Sequence, residues 1–299
     1  MSDSQACSYF LSTGLMTLIA IASAVFAGLA STDAGVDLGI YENKTEELSD
    51  LYSIEATPAD WAFSIWGVIF LFEILWIAYA LSTLCRSNEE GPVYSVAPVL
   101  PPGFTLLYSV NQVLLVGWLF LWDRQYISYS CLDLFFIFVT GALCLWINYR
   151  RVNEYKSYMQ ENLMGDLVAN YLLVQNGIAL LTTWTFVATL LNGAIALTYE
   201  DATGLDDMLS STIMYIVITF VITLYFVLDV TIWEKHTRYT FAPYIVIIVA
   251  SLGSLDFDFD FEFDFNVDTS TTIFELVALG LSCVFLICKF FRTCYAAIR

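Results

Sequence analysis

Charged residues are scarce in this sequence, and basic residues are scarcer than acidic ones. Only 14% of the 299 residues are charged while 59% are hydrophobic, and 11 Lys and Arg stand against 30 Asp and Glu. Soluble domains carry roughly a quarter charged residues, so this composition excludes an ordinary soluble domain and indicates an integral membrane protein. The net charge of −19 and the shortage of Lys and Arg also exclude nucleic acid as a partner.

Residues that commonly carry catalysis are also few. His236 is the only histidine, and it stands near Lys235 and Arg238, which is typical of a basic patch at a membrane interface. The sequence has no His/Cys cluster with metal-ligand spacing, no glycine-rich phosphate loop and no Ser-His-Asp arrangement. We therefore expect a protein that is not an enzyme.

Long polar stretches are lacking, and eight apolar runs follow one another instead. A bilayer core of about 30 Å needs roughly 20 helical residues. The runs do not alternate apolar and polar residues as barrel strands do, and each backbone donor in hydrocarbon must be satisfied within its own segment. The predicted fold class is therefore all-α, a polytopic membrane bundle of about eight transmembrane helices, of which the seventh is the shortest. The runs are 9–30, 61–84, 104–122, 131–149, 171–197, 210–233, 239–255 and 273–291.

The charges are distributed unevenly between the connections. Basic residues favour the cytoplasmic side. With the N-terminus inside, nine of the 11 Lys and Arg fall in inner segments, and 19 of the 30 Asp and Glu fall in outer connections. We therefore expect both termini to be cytoplasmic. The end of the first run, Ala27 to Ser31, resembles a signal-peptide cleavage site, but residues 1–8 carry no Lys or Arg, so we expect a retained helix.

One glycosylation motif supports this orientation. Asn43-Lys44-Thr45 is the only N-x-[ST] sequence in the chain, and it falls in the first outer loop, residues 31–60. Asn43 is therefore a candidate glycosylation site. Such a site predicts a eukaryotic plasma membrane or secretory-pathway membrane.

Three stretches of the chain carry a resemblance to a known family. Residues 57–70 read TPADWAFSIWGVIF, residues 108–122 read YSVNQVLLVGWLFLW, and residues 184–195 read WTFVATLLNGAI. Together they resemble the tryptophan-rich sensory protein and translocator protein family (TspO/MBR), also called the peripheral benzodiazepine receptor family. The matching positions are Pro58, Trp61, Phe63, Asn111, Gln112, Trp118, Trp184, Ala188, Thr189, Leu191 and Asn192.

The resemblance covers about residues 9–198 and implies a domain organisation. Residues 1–208 would form a five-helix core like that of the TspO family, with the acidic outer loop 31–60. Residues 209–299 would add three helices and an acidic Asp/Phe outer loop at 256–268.

The resemblance also implies a pocket among helices 1, 2, 3 and 5, beneath the first outer loop. It would take a tetrapyrrole, a lipid or a sterol-like compound. Large flat rings suit a flat apolar ligand, and a few polar groups set its orientation. The candidate ligand-binding residues are Trp66, Glu73, Asn111, Gln112, Trp118, Trp184 and Asn192.

The predicted function is non-enzymatic binding, sensing or movement of a hydrophobic small molecule. Two other classes stay open, a structural membrane protein that self-associates through its acidic outer face, and a cation channel or proton-coupled transporter. At the level of residues, each Trp can also serve ordinary core packing. Glu73, near the middle of the second run, can likewise be a structural acid bonded to a neighbouring amide.

Residues 254–268 read SLDFDFDFEFDFNVD, in which acids alternate with phenylalanines. A period of two predicts a strand with the acids on one side. The segment can attract cations, ligate Ca²⁺, pair with its copy in another chain, or be a solvated loop. We favour a homo-oligomer formed by strand pairing and tuned by Ca²⁺ or low pH. The possible Ca²⁺ ligands are Asp256, Asp258, Asp260, Glu262 and Asp264.

Overall fold

The computed structural model describes residues 3–200, 203–255 and 269–298. Within these ranges the regular structure is almost entirely helical, and the only strands form a short antiparallel hairpin of β1 (Ser87–Asn88) and β2 (Gly91–Pro92). A 3-10 helix (Asp60–Ser64) leads into α4, and a π-helical segment (Asn170–Gln175) joins α8 to α9. The α-helices are α1 (Asp3–Ala30), α2 (Asp33–Asp37), α3 (Thr45–Leu51), α4 (Ile65–Cys85), α5 (Val93–Val96), α6 (Pro102–Asp123), α7 (Ile127–Asn162), α8 (Met164–Ala169), α9 (Asn176–Tyr199), α10 (Asp207–Val230), α11 (Glu234–Thr237), α12 (Ala242–Ser254) and α13 (Ser270–Ile298).

The predicted all-α membrane bundle is confirmed. Seven helices in the described part of the chain are long and apolar enough to cross a membrane. They contain the predicted runs other than the seventh, except that the sixth run, 210–233, extends three residues beyond the end of α10 at Val230. The seventh run, predicted to span residues 239–255, is wrong in its length. Its helix, α12, has only 13 residues and is about 20 Å long at 1.5 Å per residue, short of the bilayer core of about 30 Å.

The start of α12 explains its shortness. The side-chain amide oxygen of Asn176 accepts the backbone N–H groups of Phe241 at 2.9 Å and Ala242 at 3.2 Å. These two donors have no partner within α12, so a side chain from α9 satisfies them. Pro243 lies in the first turn, where its missing N–H costs nothing. The residues before Ala242 therefore belong to the connection.

Helix α9 is the most buried of the membrane spans and packs against α4, α7, α10 and α12. Its contact with α7 is very close at Gly141, where an added Cβ would lie only 2.4 Å from the Thr182 hydroxyl oxygen. Small residues allow membrane helices to approach in this way. On one side of α9, α1 packs on α6 and α6 on α7; on the other, α13 packs on α10 and α12. Helix α9 therefore lies between the other spans of the first five and the group of α10, α12 and α13.

Contacts between connections define one end of the bundle. The Tyr199 hydroxyl donates to the Ser53 carbonyl at 2.7 Å, and the Ala59 N–H donates to the Gly253 carbonyl at 2.9 Å. The Asp123 carboxylate accepts the Glu42 N–H at 2.8 Å. These bonds gather residues 31–60, the end of α6, the end of α9 and the end of α12 at what we call the acidic end.

The opposite end is joined in the same way. Arg86 forms an ion pair with Asp166 at the start of the fifth span. The Arg151 Nε donates to the Pro98 carbonyl at 3.2 Å, and the ring of His236 contacts the Tyr149 carbonyl at 3.4 Å. We call this the basic end, because eight of the nine Lys and Arg of the predicted inner segments lie here within the described residues.

Candidate functional site

Three of the predicted tryptophans meet near the acidic end. Trp66 of α4 stacks on Trp118 of α6 with ring centroids 6.0 Å apart and planes inclined by 21°. Trp66 also forms a T-shaped contact with Trp184 of α9, with centroids 6.4 Å apart and planes inclined by 89°. Trp118 and Trp184 are buried, whereas Trp66 is partly exposed. We call these three residues the tryptophan cluster.

The helix directions bring these rings to one level. Trp66 lies in the first turn of α4, and Trp118 lies in the last two turns of α6. The two helices run in opposite directions, so the start of one lies beside the end of the other. Phe63 and Phe70 extend the aromatic contacts, at 6.4 Å from Trp184 and 5.9 Å from Trp66. Aromatic pairs at such distances and angles are favourable beyond their buried area.

The indole N–H of Trp118 has no hydrogen-bond partner among the described residues, although it is fully shielded within the bundle. A buried indole N–H normally finds an acceptor, and a buried donor without one costs about 1–3 kcal/mol. The tryptophan cluster therefore presents a hydrogen-bond donor that a ligand with an acceptor group can satisfy.

A chain of buried polar side chains lies deeper between α4 and α6. The Gln112 Nε2 donates to the Tyr108 hydroxyl oxygen at 2.9 Å, and the Tyr108 hydroxyl donates to Glu73 Oε1 at 2.8 Å. The rings of Trp76 and Tyr108 form a T-shaped contact with centroids 4.7 Å apart. We call Gln112, Tyr108 and Glu73 the polar chain. The side-chain oxygen of Gln112 has no donor among the described residues.

The polar chain corrects one part of the sequence interpretation. One hypothesis from the sequence was that Glu73 is a structural acid bonded directly to a neighbouring amide. In the structure the partner of Glu73 is the phenol of Tyr108, and the side-chain amide of Gln112 donates to that phenol. Tyr108 was missed among the candidate residues. Its position four residues before Gln112 places both on one helix face, and this spacing was the available signal.

The two predicted asparagines contact α7 instead. The Asn111 Nδ2 donates to the Ile137 carbonyl at 2.7 Å and to the Thr140 hydroxyl at 2.8 Å. The Asn192 Oδ1 accepts the Ser130 hydroxyl at 2.8 Å. These three bonds fasten α7 to α6 and α9. The structure thus gathers Trp66, Trp118 and Trp184 in one cluster and Glu73 and Gln112 in the polar chain, and places Asn111 and Asn192 at other contacts.

Residues 31–60 form a folded cap over the acidic end. Four of its own apolar residues, Tyr41, Leu48, Ile54 and Ala56, are buried. The Tyr41 ring stacks on Phe120 of α6 at 5.1 Å. Apolar burial of this extent fixes the position of the cap relative to α6.

Asp123 is the polar anchor of the cap. Its carboxylate oxygen accepts the backbone N–H groups of Glu42 at 2.8 Å and Asn43 at 2.9 Å. The Arg124 guanidinium lies 3.2 Å from Asp123 and also pairs with Glu42. Burial, followed by the nearby Asp123 carboxylate, raises the pKa of the Tyr41 phenol to about 12. The candidate glycosylation residue Asn43 is held in this cap by its backbone.

The predicted Ca²⁺ ligands lie outside the described residues. Among residues 3–200, 203–255 and 269–298, no group of three or more His, Cys, Asp or Glu is placed to hold a metal ion.

A large cavity lies at the basic end, away from the tryptophan cluster. It measures about 1,070 Å³ and is bounded by α7, α9, α10, α11 and α12. Its wall is mainly apolar, with basic residues at one margin. The sequence interpretation did not find it, because its lining comes from five helices that are distant in the sequence. We call it the basic-end cavity.

Comparison with protein families gives a match over most of the chain. The family model described as TSPO-like protein matches residues 12–253. This segment begins in α1 and ends in α12, so it includes the tryptophan cluster, the polar chain and the cap. It also extends beyond residues 9–198, where the sequence resemblance was found. Comparisons with curated proteins and with solved structures give no match. The chain therefore belongs to the TSPO-like protein family.

Proposed function

We propose that this membrane protein binds a hydrophobic small molecule at the tryptophan cluster, and that it senses or moves that molecule without changing it chemically. The observation that carries the proposal is the buried indole N–H of Trp118, which has no acceptor among the described residues. It lies in a stack of large rings beneath the cap. This combination suits a flat apolar ligand with one hydrogen-bond acceptor.

Trp66 is the residue that would make room for the ligand. Packed carbon atoms lie about 3.5–4.0 Å apart, so a flat molecule between two rings needs about 7 Å between their planes. The centroids of Trp66 and Trp118 are 6.0 Å apart, so one ring must move. Trp66 is partly exposed, whereas Trp118 is buried, and we expect Trp66 to change rotamer.

The polar chain supports the choice of ligand class. The unpartnered side-chain oxygen of Gln112 would accept a hydrogen bond from a ligand donor, while Trp118 would donate one. A tetrapyrrole offers a flat ring system with both donors and acceptors. A sterol or a simple lipid offers fewer such groups, so we place the tetrapyrrole first among the three.

The experiment is a ligand titration of the full chain in lipid nanodiscs. Protoporphyrin IX is the probe, and quenching of tryptophan fluorescence and the porphyrin absorbance are recorded. Trp118→Phe keeps a flat ring but removes the N–H. We expect it to raise Kd about fivefold, since one hydrogen bond contributes about 1 kcal/mol.

Trp146→Phe is the matched control, because Trp146 is exposed on α7 outside the tryptophan cluster. Its Kd should equal that of the wild type. Absence of saturable binding to the wild-type chain, with sterol and fatty-acid probes also negative, would exclude the proposal. An equal loss of porphyrin affinity in Trp118→Phe and Trp146→Phe would show that the tryptophan cluster is not the binding site.

A proton-coupled transporter or cation channel is the second candidate, and the polar chain is the observation that favours it. Three linked polar groups, ending at the carboxyl of Glu73, lie buried between two membrane helices. Buried carboxyls in membrane spans commonly mark proton or ion paths. Measuring proton and cation flux of the wild type and of Glu73→Gln in liposomes tests this. A transporter would lose flux on the substitution, whereas a binding protein would show no flux in either form.

A further inference from the structure

The basic-end cavity has the size of a lipid-binding site. Its volume of about 1,070 Å³ is slightly above the range of about 300–1,000 Å³ for small-molecule pockets. Its apolar wall comes from α7, α9, α10 and α12, with Leu145, Phe186, Val221 and Ile247 among the lining residues. Such a wall suits hydrocarbon chains rather than a polar solute.

Basic side chains collect at one margin of this cavity. Arg150, Lys235 and His236 line it, and Glu154 is the only acid among the described residues that line it. Glu154 is already paired with Arg151 at 2.9 Å. The margin therefore carries uncompensated positive charge.

Arg150 and Lys235 are free to bind an anion. Neither has a carboxylate partner among the described residues, and both are exposed. Arg150 instead lies over the Trp146 ring, 4.9 Å from its centroid. Glu234, the acid nearest to Lys235 in the sequence, is paired with Arg238 at 2.6 Å.

The margin also lies at the depth of lipid headgroups. Helix α7 begins at Ile127 near the acidic end, and about 20 residues at 1.5 Å each cross a core of about 30 Å. Trp146 and Arg150 therefore reach the far interface of the membrane. Trp, Arg and Lys are the residues that anchor helices at this level, and basic pockets between membrane helices bind anionic headgroups.

We propose that the basic-end cavity binds one anionic phospholipid, with its phosphate against Arg150 and Lys235 and its acyl chains in the apolar space between α7 and α10. This site is separate from the tryptophan cluster, so it does not depend on the proposed function. In the predicted topology the lipid comes from the inner leaflet, whose anionic lipids such a basic margin would select.

His236 is a built-in reporter for this lipid. It is the only histidine of the chain, so its imidazole resonances need no further assignment. Burial is the main cause that holds the pKa of His236 below its ordinary value, and the cations of Lys235 and Arg150 add to it. Tyr149, Arg151 and Glu154 of α7 and Tyr225 of α10 also line the cavity around it. A bound phosphate would favour the imidazolium and raise this pKa.

The test uses the full chain in phosphatidylcholine nanodiscs with and without phosphatidylserine. Native mass spectrometry counts the retained lipid, and NMR of labelled histidine follows the titration of His236. The double variant Arg150→Gln/Lys235→Gln removes both free cations. We expect it to weaken phosphatidylserine retention roughly 25-fold, since each Lys or Arg near an anionic headgroup contributes about fivefold.

Lys156→Gln/Arg292→Gln is the matched control. It removes two positive charges from the same end of the bundle, at residues that do not line the cavity, and should retain phosphatidylserine like the wild type. A third variant, Ala142→Trp, fills the apolar wall without changing charge and should also reduce retention. Trp118→Phe should leave it unchanged.

Three results would overturn the proposal. Equal retention in the double variant and its control would show that general surface potential attracts the lipid. If inorganic phosphate raises the His236 pKa as much as phosphatidylserine does, while Ala142→Trp leaves phosphatidylserine retention unchanged, this pair of results would show a simple anion site. An unchanged His236 titration in phosphatidylserine would show that no phosphate lies at this margin.

Discussion

Replacing Lys289 of α13 should uncouple the last helix from the bundle. Its ammonium lies 2.5 and 2.6 Å from the two carboxylate oxygens of Asp229 at the end of α10, and both side chains are almost completely buried. Asp229 also accepts the Tyr244 hydroxyl at 2.6 Å and the Thr237 hydroxyl. The ammonium donates further to the Thr237 carbonyl at 2.9 Å. The pair therefore joins α10, α11, α12 and α13 in one hydrogen-bonded unit.

The expected loss in free energy of unfolding depends on which partner of the ion pair is replaced. Removing one partner of a buried ion pair costs about 3–5 kcal/mol, because the other charge stays buried without compensation. In Lys289→Met the Asp229 carboxylate keeps two hydroxyl donors, so we expect about 3 kcal/mol. In Asp229→Leu the ammonium keeps one carbonyl and the faces of Phe241 and Tyr244, 5.7 and 5.8 Å away, so we expect about 5 kcal/mol.

The double variant Asp229→Leu/Lys289→Met separates charge from packing. It removes both charges and retains apolar volume, so it should be within about 1–2 kcal/mol of the wild type. Reversible unfolding in mixed micelles measures the three free energies of unfolding. Single variants that each cost less than about 1 kcal/mol, or a double variant that costs their sum, would refute the reasoning, because the charges would then act independently.

Further predictions concern helix packing, the cap and the acidic Asp/Phe connection at residues 256–268. Gly141→Ala should destabilise the α7–α9 contact by about 1–3 kcal/mol, because its Cβ would lie 2.4 Å from the Thr182 hydroxyl oxygen. Adding Thr182→Ala to this variant should restore stability if this clash is the cause. Asp123→Ala should free the Glu42 and Asn43 N–H groups and speed amide hydrogen exchange in residues 31–60. Asp50→Ala, at an exposed position, should leave the exchange rates unchanged. Equal exchange rates in the two variants would show that Asp123 does not anchor the cap. The hypothesis that the chain self-associates through this connection predicts that replacing four aspartates by asparagine abolishes any calcium and pH dependence of association, measured by light scattering. An unaltered response would end the self-association hypothesis. The four positions are Asp256, Asp258, Asp260 and Asp264.

The sequence was sufficient for features that depend on composition and local order. Apolar runs predicted the helices because each must satisfy its own backbone in hydrocarbon. The grouping of Trp66, Trp118 and Trp184 followed from the family resemblance, and the structure shows their rings in contact. The chain is a membrane protein of the TSPO-like family, while its ligand stays a proposal.

Features that depend on partners distant in the sequence were not predictable in the same way. Lys289 is one of the nine Lys and Arg that were assigned to inner segments from the sequence, and the structure shows it buried in an ion pair with Asp229. Asn111 and Asn192 counted as pocket residues, yet both bond to α7. A polar residue in a membrane span must find a partner, but composition and spacing do not say on which neighbour that partner lies.

Asn176 shows why even the end of a helix can depend on such a partner. Its amide nitrogen donates to the Tyr171 and Tyr239 carbonyls, each at 2.8 Å, while its oxygen accepts the Phe241 and Ala242 N–H groups. The donor to Tyr171 lies at the π-helical segment, where the regular i→i−4 bonding of the helix is interrupted and a carbonyl is available. The same side chain therefore relieves an irregularity in one helix and fixes the start of another. Because a side chain of another helix satisfies the first donors of α12, the length of α12 is a property of the packed bundle and not of residues 239–255 alone.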